Sequence, residues 1–144
     1  MQRRSLARLA VVPLAALLLA SCGGTIEDEY VIEEQPYTLE EIENSEVVKV
    51  TLIDSAVERL GIETAPVEVR GSRLVVPYDA VYLDAHGQFW VYTNPEPRVY
   101  IREPIHIVRE TSTEAILRKG PVAGTQVVTV GVPELYGTEI EFGT

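Results

Sequence analysis

The chain has 144 residues and a formal net charge of −10, from 22 acidic against 12 basic side chains. That balance repels nucleic acid and anionic lipid head groups, so neither is expected as a partner. One cysteine excludes an internal disulfide framework, and a chain of this length has room for one small hydrophobic core.

Arg3, Arg4 and Arg8 precede an apolar run from Leu9 to Ala20, broken by Pro13 and followed by Ser21 and Cys22. A basic start, a short apolar core and small residues at a cleavage point are the parts of a secretory signal. As a helix this run would cover about 18 Å, short of the roughly 30 Å of a hydrocarbon core, which disfavours a permanent span. The only cysteine stands directly after Ser21, and Leu19-Ala-Ser-Cys22 resembles the lipobox of bacterial lipoproteins. The resemblance implies that residues 1–21 are removed and that Cys22 carries a covalent diacylglyceryl and acyl lipid. The protein would then be anchored in the cell membrane or the outer membrane, facing the periplasm or the exterior. Stable anchoring needs more than one acyl chain, at about 0.8 kcal/mol per buried CH₂. Loss of the three arginines takes the net charge to −13 and, with Met1 gone and Cys22 acylated, leaves no thiol or thioether. A copper(I) or silver chaperone is disfavoured on that ground, and no cofactor is expected beyond the lipid.

Between Glu27 and Glu46 the sequence holds nine acidic residues and no basic one. A segment so charged and so poor in apolar side chains cannot offset the entropy of ordering. Residues 22–45 therefore read as the lipidated cysteine and a disordered acidic linker, and residues 46–144 as the folded domain.

Within that domain Val47 to Ile53 is β-branched and predicts a strand. Ser55 and Glu58 have capping-box spacing, Ala56, Val57 and Leu60 supply an apolar face, and Gly61 is a natural stop, so one short helix is expected at about 54–60. Ile62 to Val69 resumes an extended pattern, with Pro66 suited to an edge or a bulge. From Leu74 onward short strands alternate with turn residues. Asp84 to Gly87 separates Ala80–Leu83 from Gln88–Thr93, and Asn94 to Pro97 separates that strand from Arg98–Arg109. Thr113–Arg118, Gln126–Val130 and Glu139–Phe142 complete the series, with a turn at Gly120–Thr125. The expected fold is mainly β, a small antiparallel roll or barrel of about 6–8 short strands. Phe89, Val91, Val99, Ile101, Ile105, Ile107, Ile116, Val128 and Val130 are the predicted core. Alternation then puts Trp90 and Tyr92 on the other face of their strand.

Three segments occur in a telling order: Val50 to Val67, Val76-Pro-Tyr-Asp-Ala-Val81, and Gly120-Pro-Val-Ala-Gly-Thr-Gln-Val-Val-Thr-Val-Gly131. Together they resemble parts of the periplasmic adaptor, or membrane fusion, proteins of resistance-nodulation-division efflux pumps. The likeness is to the heavy-metal branch above all. In such adaptors the first segment precedes the lipoyl and helical-hairpin domains, and the other two belong to the membrane-proximal β domain. Here Glu68 to Arg73 joins the first segment directly to Leu74, which leaves no room for the lipoyl or hairpin domains. The resemblance implies a stand-alone membrane-proximal module that docks on an inner-membrane efflux transporter or on its full-length adaptor.

Motifs for catalysis are few. No Gly-x-Ser-x-Gly elbow, P-loop or His-Glu-x-x-His pattern occurs, and no enzyme activity is expected. His86 falls in a predicted turn, and His106, between Ile105 and Ile107, faces solvent by alternation. Tyr82, Trp90, Tyr92 and Tyr100 are the candidate partner-binding residues, since Tyr and Trp suit surfaces that are half buried and half wet. The alternative is a small-ligand or divalent-metal-binding envelope lipoprotein, with Glu27, Asp28, Glu29, Glu33 and Glu34 as weak hard-ion donors. Intact-mass spectrometry of protein purified from native membranes should find a mature start at Cys22 with lipid attached. An unmodified thiol, or a start elsewhere, would remove the anchor.

Overall fold

The computed structural model describes residues 35–141. The signal segment, Cys22 and the linker as far as residue 34 lie outside the described residues, as does Phe142. The described part is mainly β, with eleven strands in two antiparallel sheets and two α-helices, and neither sheet closes into a barrel.

Strand β1 (Tyr37–Glu41) pairs with β2 (Val48–Leu52), Tyr37 opposite Leu52 and Glu41 opposite Val48. This corrects the linker boundary, because residues 37–41 are part of the sheet. The run of carboxylates hides an alternation in which Tyr37 and Leu39 pack on the core beside Val50 and Leu52. Lys49 pairs with Glu40 across the two strands, an exposed contact that contributes at most about 1 kcal/mol.

Helix α1 (Asp54–Leu60) lies where the pattern predicts it and ends as predicted, with Gly61 left-handed at φ 61° and its N–H on the carbonyls of Val57 and Glu58. Its start differs. Ile53 is the N-cap, no side chain caps the helix, and Ser55 already sits inside the first turn. The reason is a long-range contact: the Ile53 N–H donates to the Pro36 carbonyl, tying the helix entry to the residue that leads into β1.

The chain then changes sheets at buried corners. Strands β3 (Glu63–Pro66) and β4 (Glu68–Arg70) part at Val67, whose N–H donates to Thr125 O and whose carbonyl accepts from Gly124 N. Strand β5 (Arg73–Pro77) leads through one 3₁₀ turn at Tyr78–Ala80 to the short β6 (Tyr82–Leu83). Strands β7 (Phe89–Glu96) and β8 (Val99–Pro104) form a hairpin. Strands β9 (His106–Glu110), β10 (Glu114–Lys119) and β11 (Gln126–Val130) follow, and helix α2 (Val132–Glu141) ends the described chain.

Two expectations are overturned here. The single strand Arg98–Arg109 is two strands in different sheets, because Pro104 has no N–H for the ladder and Ile105 turns inward, its N–H on Phe89 O. The described part of the strand expected at Glu139–Phe142, residues 139–141, is instead the end of α2. Pro133 sits in the first turn of that helix, where a missing N–H is harmless.

The large sheet runs β1-β2-β8-β7-β11-β3, with β6 on β7, and the small sheet runs β4-β5-β10-β9. Both faces of the large sheet are covered. Tyr92 and Val128 point to a core shared with Ala56 of α1 and Leu135 of α2, whereas their neighbours Val91 and Val127 point to a second core shared with Val76, Ile105 and Leu117. Helices, large sheet and small sheet thus make three layers. Of the predicted core, Val91, Ile105 and Val128 are fully buried, but Val130 is 44 % exposed at the end of its strand.

Gly131 links β11 to α2 at φ 96°, and a Cβ there would collide with the Ile62 side chain. Gly131→Ala should destabilise the fold by about 2 kcal/mol, since it adds left-handed strain to that contact. Thermal denaturation should show a midpoint lower by roughly 10 °C.

Candidate functional site

The side chains of β7, β8 and α2 converge on one charged constellation. The Glu139 carboxylate, only 8 % exposed, accepts from the Tyr92 hydroxyl at 2.6 Å through Oε2 and from Arg102 Nε at 2.7 Å through Oε1. The Arg102 guanidinium lies 4.4 Å from the centroid of the Trp90 ring. The indole N–H of Trp90 donates at 2.9 Å to Asp84 Oδ2, and Asp84 Oδ1 accepts the backbone N–H groups of His86 and Gln88 at 2.8 and 2.9 Å. A continuous chain of contacts therefore runs from a buried phenol to a turn carboxylate at the surface.

Local sequence explains each placement. Trp90 and Tyr92 alternate to the same face of β7, and Arg102 is the Cα partner of Tyr92 on β8. Asp84 opens the β6–β7 turn, where a short carboxylate bonds its own backbone and Gly87 adopts φ 80°. Helix α2 buries Val132, Leu135 and Glu139, a spacing of three and four residues that defines one face.

Electrostatics follow the geometry. Burial first, and then the bond to Glu139, pushes the Tyr92 phenol far above its ordinary value of 10.0. Burial also raises Tyr82, whose ring packs on Tyr136 at a centroid separation of 4.4 Å. The Gln88 N–H, and after it the Trp90 indole, hold the Asp84 carboxyl below the usual carboxylate range.

These groups line a cleft of about 450 Å³, with Glu46, Asp84, His86, Trp90, Arg102 and Glu139 among its walls. Arg102 is held on three sides, since its Nη2 also points at the Glu46 carbonyl at 3.4 Å. The result is a rigid concave surface, aromatic and cationic at its centre and carboxylate-bearing at its edges. Among the described residues no group of three or more His, Cys, Asp or Glu side chains converges as a metal site.

The four aromatic residues singled out in the sequence do not form one docking surface. Tyr92 is fully buried and Tyr100 is 3 % exposed, both in the core beneath the helices, which corrects their assignment as partner-binding groups. Trp90 is half-buried in the cleft wall, and Tyr82 is half-buried behind it against Tyr136. The face opposite Val91 looks free only when α2 is unrecognised. Arg102, Glu139 and Asp84 were not singled out at all; a helical reading of Val132, Leu135 and Glu139 is the signal that finds the second of them. Cys22 lies outside the described residues. No described helix is long and apolar enough to cross a membrane.

In comparisons with known proteins, no family model, no curated protein and no solved structure matches the chain.

A raised phenol favours the folded state fully below pH 10, and that contribution is lost as pH climbs from there toward the higher folded value. Denaturant unfolding above pH 10 should therefore show stability falling more gently in Tyr92→Phe than in the natural protein. Equal slopes would mean that Tyr92 is not the buried, carboxylate-bonded phenol described.

Proposed function

We propose that the chain is a non-enzymatic envelope lipoprotein, anchored through Cys22, that docks on an inner-membrane efflux transporter or on its full-length adaptor. The observation that carries the reading is the pairing of Trp90 with Arg102 at the centre of the cleft. Tryptophan and arginine are the residue types that most often dominate binding energy at protein interfaces, and both gain when their conformation is fixed before the partner arrives. Here Asp84 fixes the indole and Glu139 fixes the guanidinium. The likeness of Val50–Val67, Val76–Val81 and Gly120–Gly131 to adaptor segments supplies the class of partner, and the lipobox supplies the compartment.

A second reading is favoured by the cleft itself, whose volume lies in the range of small-ligand sites, roughly 300 to 1,000 Å³. A carrier of small ligands or divalent ions would use the carboxylates of Glu46 and Asp84 at its edge.

Co-purification from native membranes distinguishes the two. Trp90→Ala should reduce recovery of the transporter by tenfold or more while the domain melts as a single folded unit. Unchanged recovery would exclude the cleft as the docking site, and heat evolved on titrating millimolar divalent ions into the protein would favour the carrier.

A further inference from the structure

The small sheet has a charge opposite to that of the chain as a whole. Its four strands hold Arg70, Arg73, Arg109, Arg118 and Lys119, five of the twelve basic residues, against Glu68, Glu110 and Glu114. Val76, Ala115 and Leu117 face the core, so Val75 and Ile116 lie on the outer side of β5 and β10. A groove of about 340 Å³ on that side is lined by Arg70, Arg73, Val75, Val108, Arg109 and Ile116. Its floor is apolar and its margins are arginine.

The three arginines are not equivalent. Arg70 is satisfied by Glu114, at 2.7 and 2.9 Å through its two terminal nitrogens, with Glu68 further off at 3.5 Å. The guanidinium groups of Arg73 and Arg109 have no hydrogen-bond or ion-pair partner among the described residues. Arg73 also stands directly across the β4–β5 ladder from Arg70, and since Glu114 neutralises Arg70, the Arg73 charge is the one left open on this rung. The register fixes the spacing. Arg109 is opposite Ile116, which is opposite Val75, two residues along β5 from Arg73. Two strand spacings across and two residues along put the Arg73 and Arg109 backbones about 12 Å apart, with Val75 and Ile116 between.

We propose that this face binds an acidic, extended segment of a partner protein, in which two carboxylates four residues apart flank one apolar side chain. In such a segment alternate residues share a face, so the first, third and fifth side chains point at the sheet over a span of about 13 Å. The outer two meet the guanidinium forks of Arg73 and Arg109, and the middle one enters the groove. Forked guanidinium pairing suits carboxylates, and Val108, 48 % exposed at the groove margin, adds apolar contact. A peptide is favoured over an anionic membrane on two grounds. A broad negative plane is repelled by the rest of the chain, whereas a short segment meets only the arginines; and a concave floor receives a side chain better than a layer of head groups. The surface is separate from the Trp90 cleft, so the proposal does not depend on how that cleft is used.

The test uses the full chain, purified in detergent and reconstituted into phosphatidylcholine nanodiscs. The probe is a fluorescein-labelled peptide carrying Glu-Thr-Val-Thr-Glu, read by anisotropy. It should bind in low salt, lose at least tenfold in affinity when both acidic positions are glutamine, and lose as much with Arg73→Gln plus Arg109→Gln. Trp90→Ala should leave it unchanged. A control melt establishes that the double variant is folded. Equal binding of the glutamine peptide, equal binding by the double variant, or no binding at millimolar peptide would each overturn the proposal. So would loss of peptide binding when half the lipid is exchanged for phosphatidylglycerol at constant salt, which would assign the face to the membrane.

Discussion

A single carboxylate joins the helix layer of this domain to its large sheet. Glu139 projects from α2 into a region from which water is nearly excluded, and there it meets a hydroxyl from β7 and a guanidinium from β8. Burying a charge is expensive unless it is paired and hydrogen-bonded, and removing one member of such a pair typically costs about 3–5 kcal/mol. The cost runs in both directions, so the helix cannot lift without stranding Arg102, and Arg102 cannot swing out without stranding Glu139. The cleft owes its fixed shape to this mutual dependence. Its outer wall is a helix that hydrophobic contact through Val132 and Leu135 alone would hold less specifically.

The sequence makes the strand content, the first helix and most of the turns readable, because each is written in short-range chemistry. Gly61 closing α1 and Asp84 opening the β6–β7 turn are cases in which one residue type meets one backbone need. Long-range information is harder to read. Val91, Tyr92 and Thr93 are all buried in succession, which alternation cannot anticipate in a sheet covered on both sides. The covering element over Tyr92 is α2, and its last turn has the β-like residues Thr138 and Ile140, which favour the wrong reading. Similarly, nine carboxylates within the twenty residues 27–46 outweigh Tyr37 and Leu39 when averaged, although two apolar side chains suffice once β2 is there to pair with.

Two of the four passages between the sheets, β3 to β4 and β8 to β9, share a sequence form that is easy to overlook. In each, a proline ends a strand and the next residue, Val67 or Ile105, is β-branched and buried. The proline cannot continue the ladder, and the side chain after it finds the space between the sheets. Proline thus acts here as the point at which one layer hands the chain to another. The result is a domain with two unlike ends: a carboxylate-edged aromatic cleft beneath α2, and an arginine-edged apolar groove on the small sheet.

Strand β1 has a mechanical consequence under the proposed anchoring at Cys22. Any pull between membrane and domain enters at Pro36 and Tyr37, the start of an edge strand that pairs on one side only. Load applied at that end strains the Pro36–Ile53 hydrogen bond and then the Tyr37–Leu52 rung, and passes to each later rung in turn, a peeling geometry that yields at lower force than simultaneous shear of the whole ladder. The Tyr37 hydroxyl is clasped by the Glu141 carboxylate at 2.9 Å, so the first rung is also latched to the end of α2. Traction on the anchor would reach both helices at once, α1 through Pro36 and Ile53 and α2 through Tyr37 and Glu141.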